Sequence, residues 1–469
     1  MRPLLPLKKH VKHLCGRFPL YKIMPAGKYR DYAAIEHIAE TQDPVQLVEF
    51  VKELPAGSRQ FAGSAIKSLE VLLKTGNDQL FEESIVYLLH RFPELPQFRI
   101  LESEYLLFRN QVDGAFERAS KAFFLDPSSS QAAAQYLQTA YSCQGIPAAH
   151  ALAVKVVEKF PFSSAPMWVA AKHCDSEDQL ARILSAWSRR AKAPRHLSKM
   201  VRPLANAAVR ANRIDIANNL YVKAISYDLS SNTKAPEVKS KTLAGKGGSS
   251  ALADVKDVLS SIRTEYFLAA GTALGIVREG KPLDHDSDID IGIMDASWDK
   301  EELESAFQKH PRFILSRTHP DNPKVGVTHR GGASIDLFRF YEENGQMWHN
   351  GVFVRWHNTP FTLKESGFPE IPANLPGDVD KYLTECYGDW RVPDPSFDAF
   401  IDAPNLEVLW PAYHEHHRLR RAFRYVRSGA ISGAMLEFEA VKSLLSGSTE
   451  GRRLLAMAES MLCGAKRAG

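Results

Sequence analysis

From about Asp31 to Leu229, apolar residues recur at three- and four-residue spacing with few β-branched runs, which predicts a long succession of α-helices. The pattern breaks at Ser230 to Ser250 (SSNTKAPEVKSKTLAGKGGSS), where large apolar residues almost vanish and a linker is expected. Helical spacing resumes with Leu252, Val255, Val258, Leu259 and Ile262, predicting an amphipathic helix over Ala251–Glu265. A short apolar run then predicts a strand over Tyr266–Ala270, and Gly271-Thr272 turns the chain into a short helix, Ala273–Glu279. Strict alternation comes next: Asp284, Asp286, Asp288 and Asp290 at every second position, with Ile289, Ile291 and Ile293 on the intervening ones. An extended strand places those carboxylates on one face and the isoleucines on the other. Ser334–Tyr341 is a second strand-like run, and Pro411–Arg427 and Ile431–Ala468 are expected as C-terminal helices that pack.

The helical half also repeats. Arg91-Phe92-Pro93, Leu125-Asp126-Pro127 and Lys159-Phe160-Pro161 lie 127 − 93 = 34 and 161 − 127 = 34 residues apart, and similar steps reach Ala193-Pro194 and Tyr227-Asp228-Leu229. Small residues recur within the units: Ala115, Ala122, Ala149, Ala217 and Ala224. A 34-residue period with small residues at helix crossings and a proline ending the second helix resembles the tetratricopeptide repeat. The resemblance implies a curved superhelix able to take a protein partner, a glycan chain or a second copy of itself, or simply to buttress the C-terminal half of the chain.

Composition narrows the function classes. Of 469 residues, 44% are hydrophobic and 24% charged, enough for two or three soluble domains. A net charge of +4 does not indicate a nucleic-acid groove, and no nucleic-acid partner is expected. Cysteines 15, 143, 174, 386 and 463 form no CxxC pair, so spacing suggests neither a zinc cage nor a disulfide framework. The longest clean apolar run, Leu268–Val277, is too short for a membrane helix, so a cytoplasmic protein is expected. Lys8, Lys9, Lys12 and Arg17 beside Leu4, Leu5 and Leu7 allow a peripheral contact with an anionic inner membrane face. His414, His416 and His417 lie in a charge-rich helix and are expected as a solvated face rather than as metal ligands.

The chemistry gathers at the acidic strand. Like charges repel and raise one another's pKa, so a carboxylate row calls for a cation, and strand-borne carboxylates suit Mg²⁺ or Mn²⁺. The block GTALGIVREG followed by HDSDIDIGI closely resembles the LicD and fukutin family of phosphotransferases, within the polymerase β-like nucleotidyltransferase superfamily. The tail Tyr387-Gly-Asp-Trp-Arg391 is similar to the tyrosine-glycine pair ending that domain. The resemblance covers roughly residues 250 to 395 and implies a nucleotidyltransferase-fold mixed sheet there; with the helical repeats before it and the C-terminal helices after it, an α+β chain is expected. Expected boundaries are 1–30 for a basic segment, 31–229 for the repeats, 230–250 for the linker, 251–400 for the catalytic domain and 401–469 for the closing helices. It further implies that Asp336 joins Asp288 and Asp290 as metal ligand and catalytic carboxylate, and that Gly271, Thr272, Gly275 and Arg278 receive phosphate. Asp284 and Asp286 then fall to the rim, and the Trp348–Trp356 stretch has no assigned part.

By the same resemblance, the activity is transfer of a polyol-phosphate or phosphocholine group from a CDP-activated alcohol (CDP-ribitol, CDP-glycerol or CDP-choline) to a sugar hydroxyl of a capsule, teichoic-acid or lipopolysaccharide glycan. Two other readings fit the residues: transfer of a nucleoside monophosphate by the same site, and a helical interaction scaffold carrying an inactive catalytic domain.

Overall fold

In the computed structural model, the described residues are 59–231, 247–283, 286, 288–367 and 373–468. The basic N-terminal segment, Asp284, most of the expected linker and residues 368–372 lie outside them.

The 34-residue spacing is a spacing of helix pairs. They are α1 (Arg59–Thr75) with α2 (Asp78–Arg91), α3 (Pro96–Phe108) with α4 (Val112–Leu125), α5 (Ser130–Cys143) with α6 (Ile146–Lys159), α7 (Ser164–Ala171) with α8 (Glu177–Arg190), and α9 (Pro194–Arg210) with α10 (Ile214–Ser231). Pro93, Pro127 and Pro161 each stand two residues beyond the second helix of a pair, where a missing N–H breaks no ladder. The later markers differ. Pro194 opens α9 at its first position, and Tyr227–Leu229 lies inside α10. Ala115, Ala122, Ala149, Ala217 and Ala224 have no exposed surface, so the small residues sit where helices approach.

The second half builds a mixed sheet. After α11 (Gly248–Ser261) come β1 (Phe267–Leu268), α12 (Ala270–Glu279) and β2 (Asp288–Met294). Next are α13 (Lys300–Lys309), β3 (Phe313–Leu315), β4 (Val325–His329), β5 (Ser334–Glu343), β6 (Gln346–Asn350) and β7 (Val354–Asn358). The sheet closes with β8 (Leu363–Glu365), β9 (Asn374–Pro376), α14 (Val379–Tyr387) and β10 (Leu406–Val408). The main path runs β10-β7-β6-β5-β2-β1-β9-β8. β2 and β5 pair in parallel at the centre, while β1 with β2 and β4 with β5 are antiparallel. Alternation on β2 behaves as expected: Ile289, Ile291 and Ile293 are wholly buried. Gly292 has no room for a side chain, since a Cβ there would lie 2.2 Å from the Phe267 ring. One boundary moves. The helix expected at Ala273 begins at Ala270, so Gly271 and Thr272 belong to its first turn.

Four helices end the chain: α15 (Pro411–Ser428), α16 (Ile431–Ala440), α17 (Lys442–Ser446) and α18 (Thr449–Ala468). Their apolar faces join the last repeat in one core, where Leu419, Phe423, Phe438 and Leu454 pack with Val201, Ala208, Tyr221 and Ile225. The expectation of a solvated histidine face on α15 fails here. His416 and His417 are 6% and 3% exposed, His416 stacks edge-on against Tyr221, and its Nδ1 lies 3.2 Å from the accepting Asn218 Oδ1. Burial pulls the His416 imidazole down to about 3, so it stays neutral.

The described residues group into two bodies, each with its own core. One comprises those up to Thr139 together with 310–314 and 329–332. Leu69, Phe81, Leu88, Phe98 and Tyr105 fill it. Arg330 is buried within this body, donating to the carbonyl of Leu73 near the end of α1 and to Asp78 Oδ1, 2.8 Å away in the first turn of α2. The other body holds the remaining repeats, most of the sheet and the C-terminal helices. Within it Asp175 is held between Arg210 and Arg317, and Arg210 also donates to the Thr318 carbonyl at 2.7 Å, fastening the loop between β3 and β4.

Close helix approach at Ala217 yields a direct expectation. Ala217→Leu over-packs the core shared by α9, α10 and the C-terminal helices and should destabilise the protein by about 1–3 kcal/mol, read as a lower urea midpoint. An unchanged midpoint would mean that the site can expand.

Candidate active site

Backbone pairing assembles the site. The parallel register of β2 and β5 sets Asp290 beside Asp336 and Asp288 beside Ser334. Side chains two apart share a strand face, so the three carboxylates converge. One oxygen from each of Asp288, Asp290 and Asp336 lies within 4.8 Å of the others. Of all the described residues, these alone form such a group.

The first turn of α12 is bound to this cluster. Asp290 Oδ2 accepts from the Gly271 N–H at 3.2 Å, placing a carboxylate at a helix N-terminus, where the dipole favours negative charge. The Asp290 N–H donates to the Thr272 hydroxyl at 2.8 Å, and the Ala270 N–H donates to the buried Tyr382 hydroxyl at 3.0 Å. Thr272 is wholly buried, so its hydroxyl acts on the β2 backbone and not at the cavity surface. Ala270 itself adopts φ 42°, a left-handed conformation uncommon outside glycine. Gly271 faces Asp286, whose Oδ2 would lie 2.8 Å from a Cβ there. Gly275 is a packing position: a Cβ would meet Leu283 N at 2.8 Å and Lys281 O at 2.9 Å.

The carboxylates line a cavity of about 1220 Å³. Asp286, Gly271 and Arg278 line it too. Arg278 donates to the Trp390 carbonyl and pairs with Glu279, both at 3.2 Å, and its Nε is buried with no hydrogen-bond partner. The Trp348–Trp356 stretch is the β6–β7 hairpin, which contributes His349 and Trp356 to the wall. His349 stacks on Phe340 and Trp356, and burial pulls its imidazole down to about 3.

One residue that pattern reading missed is central. Lys324, just before β4, is ion-paired with Asp336 and lines the same cavity. No local pattern marks it. Its place follows from the register of β4, which sets Gly326 opposite Asp336. A second wall runs from Tyr387 to Asn405 with Tyr413; the sequence marked only Tyr387–Arg391 of it, because most of the rest is irregular chain.

Charge sets the chemistry. Seven carboxylates line the cavity (Glu279, Asp286, Asp288, Asp290, Asp336, Asp389 and Asp394) against two cations, Lys324 and Arg278. Burial, then Asp288, Asp286 and Asp336, push the Asp290 carboxyl well above its ordinary range. Burial also raises Asp336, with Lys324 opposing.

Comparison with known proteins finds similarity over the stretch that contains these residues. Residues 263–371 match the family model described as LicD/FKTN/FKRP, nucleotidyltransferase domain. The chain is 25% identical over 164 residues to the ribitol-5-phosphate transferase FKTN of Mus musculus and 24% identical to that of Homo sapiens, covering in each case 33% of this chain and 35% of the relative. An uncharacterised protein of Rickettsia typhi is 29% identical over 145 residues, 29% of this chain and 44% of that one. The chain thus spans about a third of the length of the FKTN relatives. The stretch that builds the carboxylate cluster lies within the residues that match the LicD/FKTN/FKRP nucleotidyltransferase-domain model.

Proposed function

We propose that this domain transfers a phosphoalcohol from a CDP-activated donor to a sugar hydroxyl of a glycan, using a divalent cation held by Asp288, Asp290 and Asp336. The observation that carries the proposal is the convergence of these carboxylates inside the matched domain. The donor set fits Mg²⁺ or Mn²⁺: all oxygen, one atom from each residue within 4.8 Å of the others, with Asp290 costly to ionise unless a cation is near. When bound, such an ion neutralises negative charge building on transferring phosphate oxygens.

The remaining roles belong to side chains. Thr272 and Gly271 orient Asp290 through the contacts described above. Gly275 lets the 281–283 turn pack close behind them. Arg278 and Lys324 supply positive charge toward the phosphates. The acceptor hydroxyl gives its proton to Asp336, and its oxygen forms a bond to the phosphorus carrying the alcohol. The bond from that phosphorus to the bridging oxygen breaks, and CMP leaves. A cell-surface glycan is the acceptor we favour, and the helical repeats offer a surface for a partner or for self-association. Among the described residues no helix is long and apolar enough to cross a membrane. A second reading, transfer of the nucleoside monophosphate itself, is favoured by the nucleotidyltransferase description of the matched domain.

Incubation with Mg²⁺, labelled CDP-ribitol, CDP-glycerol or CDP-choline and candidate oligosaccharides should release CMP and add a phosphoalcohol to the acceptor mass. Asp288→Asn and Asp290→Asn should each lower kcat by at least roughly a hundredfold. An added nucleoside monophosphate would establish the second reading, and absence of transfer with every CDP donor would overturn the first.

The raised Asp290 carboxyl predicts a linked stability effect. Because the folded chain holds this proton more tightly than the unfolded chain, stability falls as pH rises from the unfolded value toward the folded one. At neutral pH in chelator, Asp290→Asn should therefore raise Tm by about 2 °C or more. Added Mn²⁺ should raise the wild-type Tm and leave that of the variant nearly unmoved, and the wild-type gain should fade as pH falls and protons compete with the metal. Equal Mn²⁺ responses in both proteins would exclude Asp290 as a ligand.

A further inference from the structure

Lys324 lies on one of the three carboxylates read as metal ligands. Its ammonium pairs with Asp336 Oδ2 and stands 5.5 Å from the centroid of the Phe338 ring, with one-fifth of the side chain exposed. The backbone holding it is well fixed. Its own N–H donates to Asn322 Oδ1 at 3.1 Å, the Asn322 N–H donates to the His319 carbonyl at 2.9 Å, and the Ser316 N–H donates to the Gly326 carbonyl at 2.8 Å. Farther back, Arg210 grips Thr318 while Asp175 grips Arg317. A hydrogen-bonded loop thus presents a flexible four-carbon stem ending in a point charge. Arginine in this place would lock bidentately onto the carboxylate, whereas an ammonium exchanges one oxygen for another readily. Arg278, the other cation lining the cavity, already serves the Trp390 carbonyl and Glu279.

We propose that Lys324 and the divalent cation compete for Asp336, and that the displaced ammonium then contacts the phosphate oxygens of the bound diphosphate. It thereby acts as a substrate-contacting residue that the metal releases. The inference rests on the proposed reading of the carboxylate cluster as a metal site. Its logic is electrostatic: positive charge removed from beside three carboxylates strengthens their hold on a cation, while positive charge removed from beside a phosphate weakens its binding.

Titration calorimetry of the full chain tests both halves without requiring turnover. With Mn²⁺ alone, Lys324→Met should bind about tenfold more tightly than wild type. With the Mn²⁺–pyrophosphate complex as probe, the same variant should bind about tenfold more weakly. Lys324→Arg, which keeps the charge but holds the carboxylate bidentately, should bind Mn²⁺ more weakly than wild type and leave pyrophosphate affinity reduced. Mn²⁺ affinity that is unchanged or weaker in Lys324→Met would show that the lysine supports Asp336 and does not compete for it, overturning the proposal. Unchanged pyrophosphate affinity would overturn it equally. Failure of the transfer reading looks different: no CDP donor is consumed, yet both binding shifts persist.

Discussion

The mutual repulsion of Asp288, Asp290 and Asp336 is the constraint on which the second half of the chain is built. Three acidic groups with oxygens inside 4.8 Å do not stay together unless the backbone leaves them no choice. Parallel pairing of β2 with β5 supplies that compulsion, because it fixes Asp290 opposite Asp336 through the register of seven residue pairs. The buried isoleucines of β2 supply the rest: a slip by one residue would drive Ile289, Ile291 and Ile293 out of the core. Hydrophobic burial on one face therefore holds electrostatic tension on the other. The first turn of α12 relieves part of that tension by donating the Gly271 N–H to Asp290.

Legibility from the sequence followed the range of the interactions concerned. The β2 alternation and the 34-residue helical period are local, and both translate into elements with little change. Asp336 was reachable only through family resemblance, since its partnership with Asp290 spans two strands. Lys324 was not reachable, because what makes it important is the β4–β5 register and not any neighbour in the chain. The histidines of α15 failed for a similar reason. Their surroundings are charge-rich in sequence, but Tyr221 and Asn218, about two hundred residues earlier, cover His416. The beginning of α12 was misplaced by three residues because Thr272 and Asp290 bond across elements, drawing Gly271 and Thr272 into the helix.

Glycines at the site divide by job. Gly271 leaves space for Asp286, Gly275 for the backbone at Lys281 and Leu283, and Gly292 for the Phe267 ring. The GTALG block, which reads as a phosphate loop, works in this fold at least as much through close packing as through exposed N–H groups. Gly271 lets the Asp286 and Asp290 carboxylates approach the helix, while Gly275 admits the 281–283 turn against it.

The core shared by α10 and the C-terminal helices has a topological meaning. Leu419, Phe423 and Phe438 pack with Tyr221 and Ile225, so chain on both sides of the nucleotidyltransferase domain contributes to a single helical layer. In architectural terms the domain is an insertion within an α-helical scaffold, entered from α10 and left toward α15. The helices that flank it pack in the same core, so removal of the C-terminal helices would bare the apolar faces of α9 and α10.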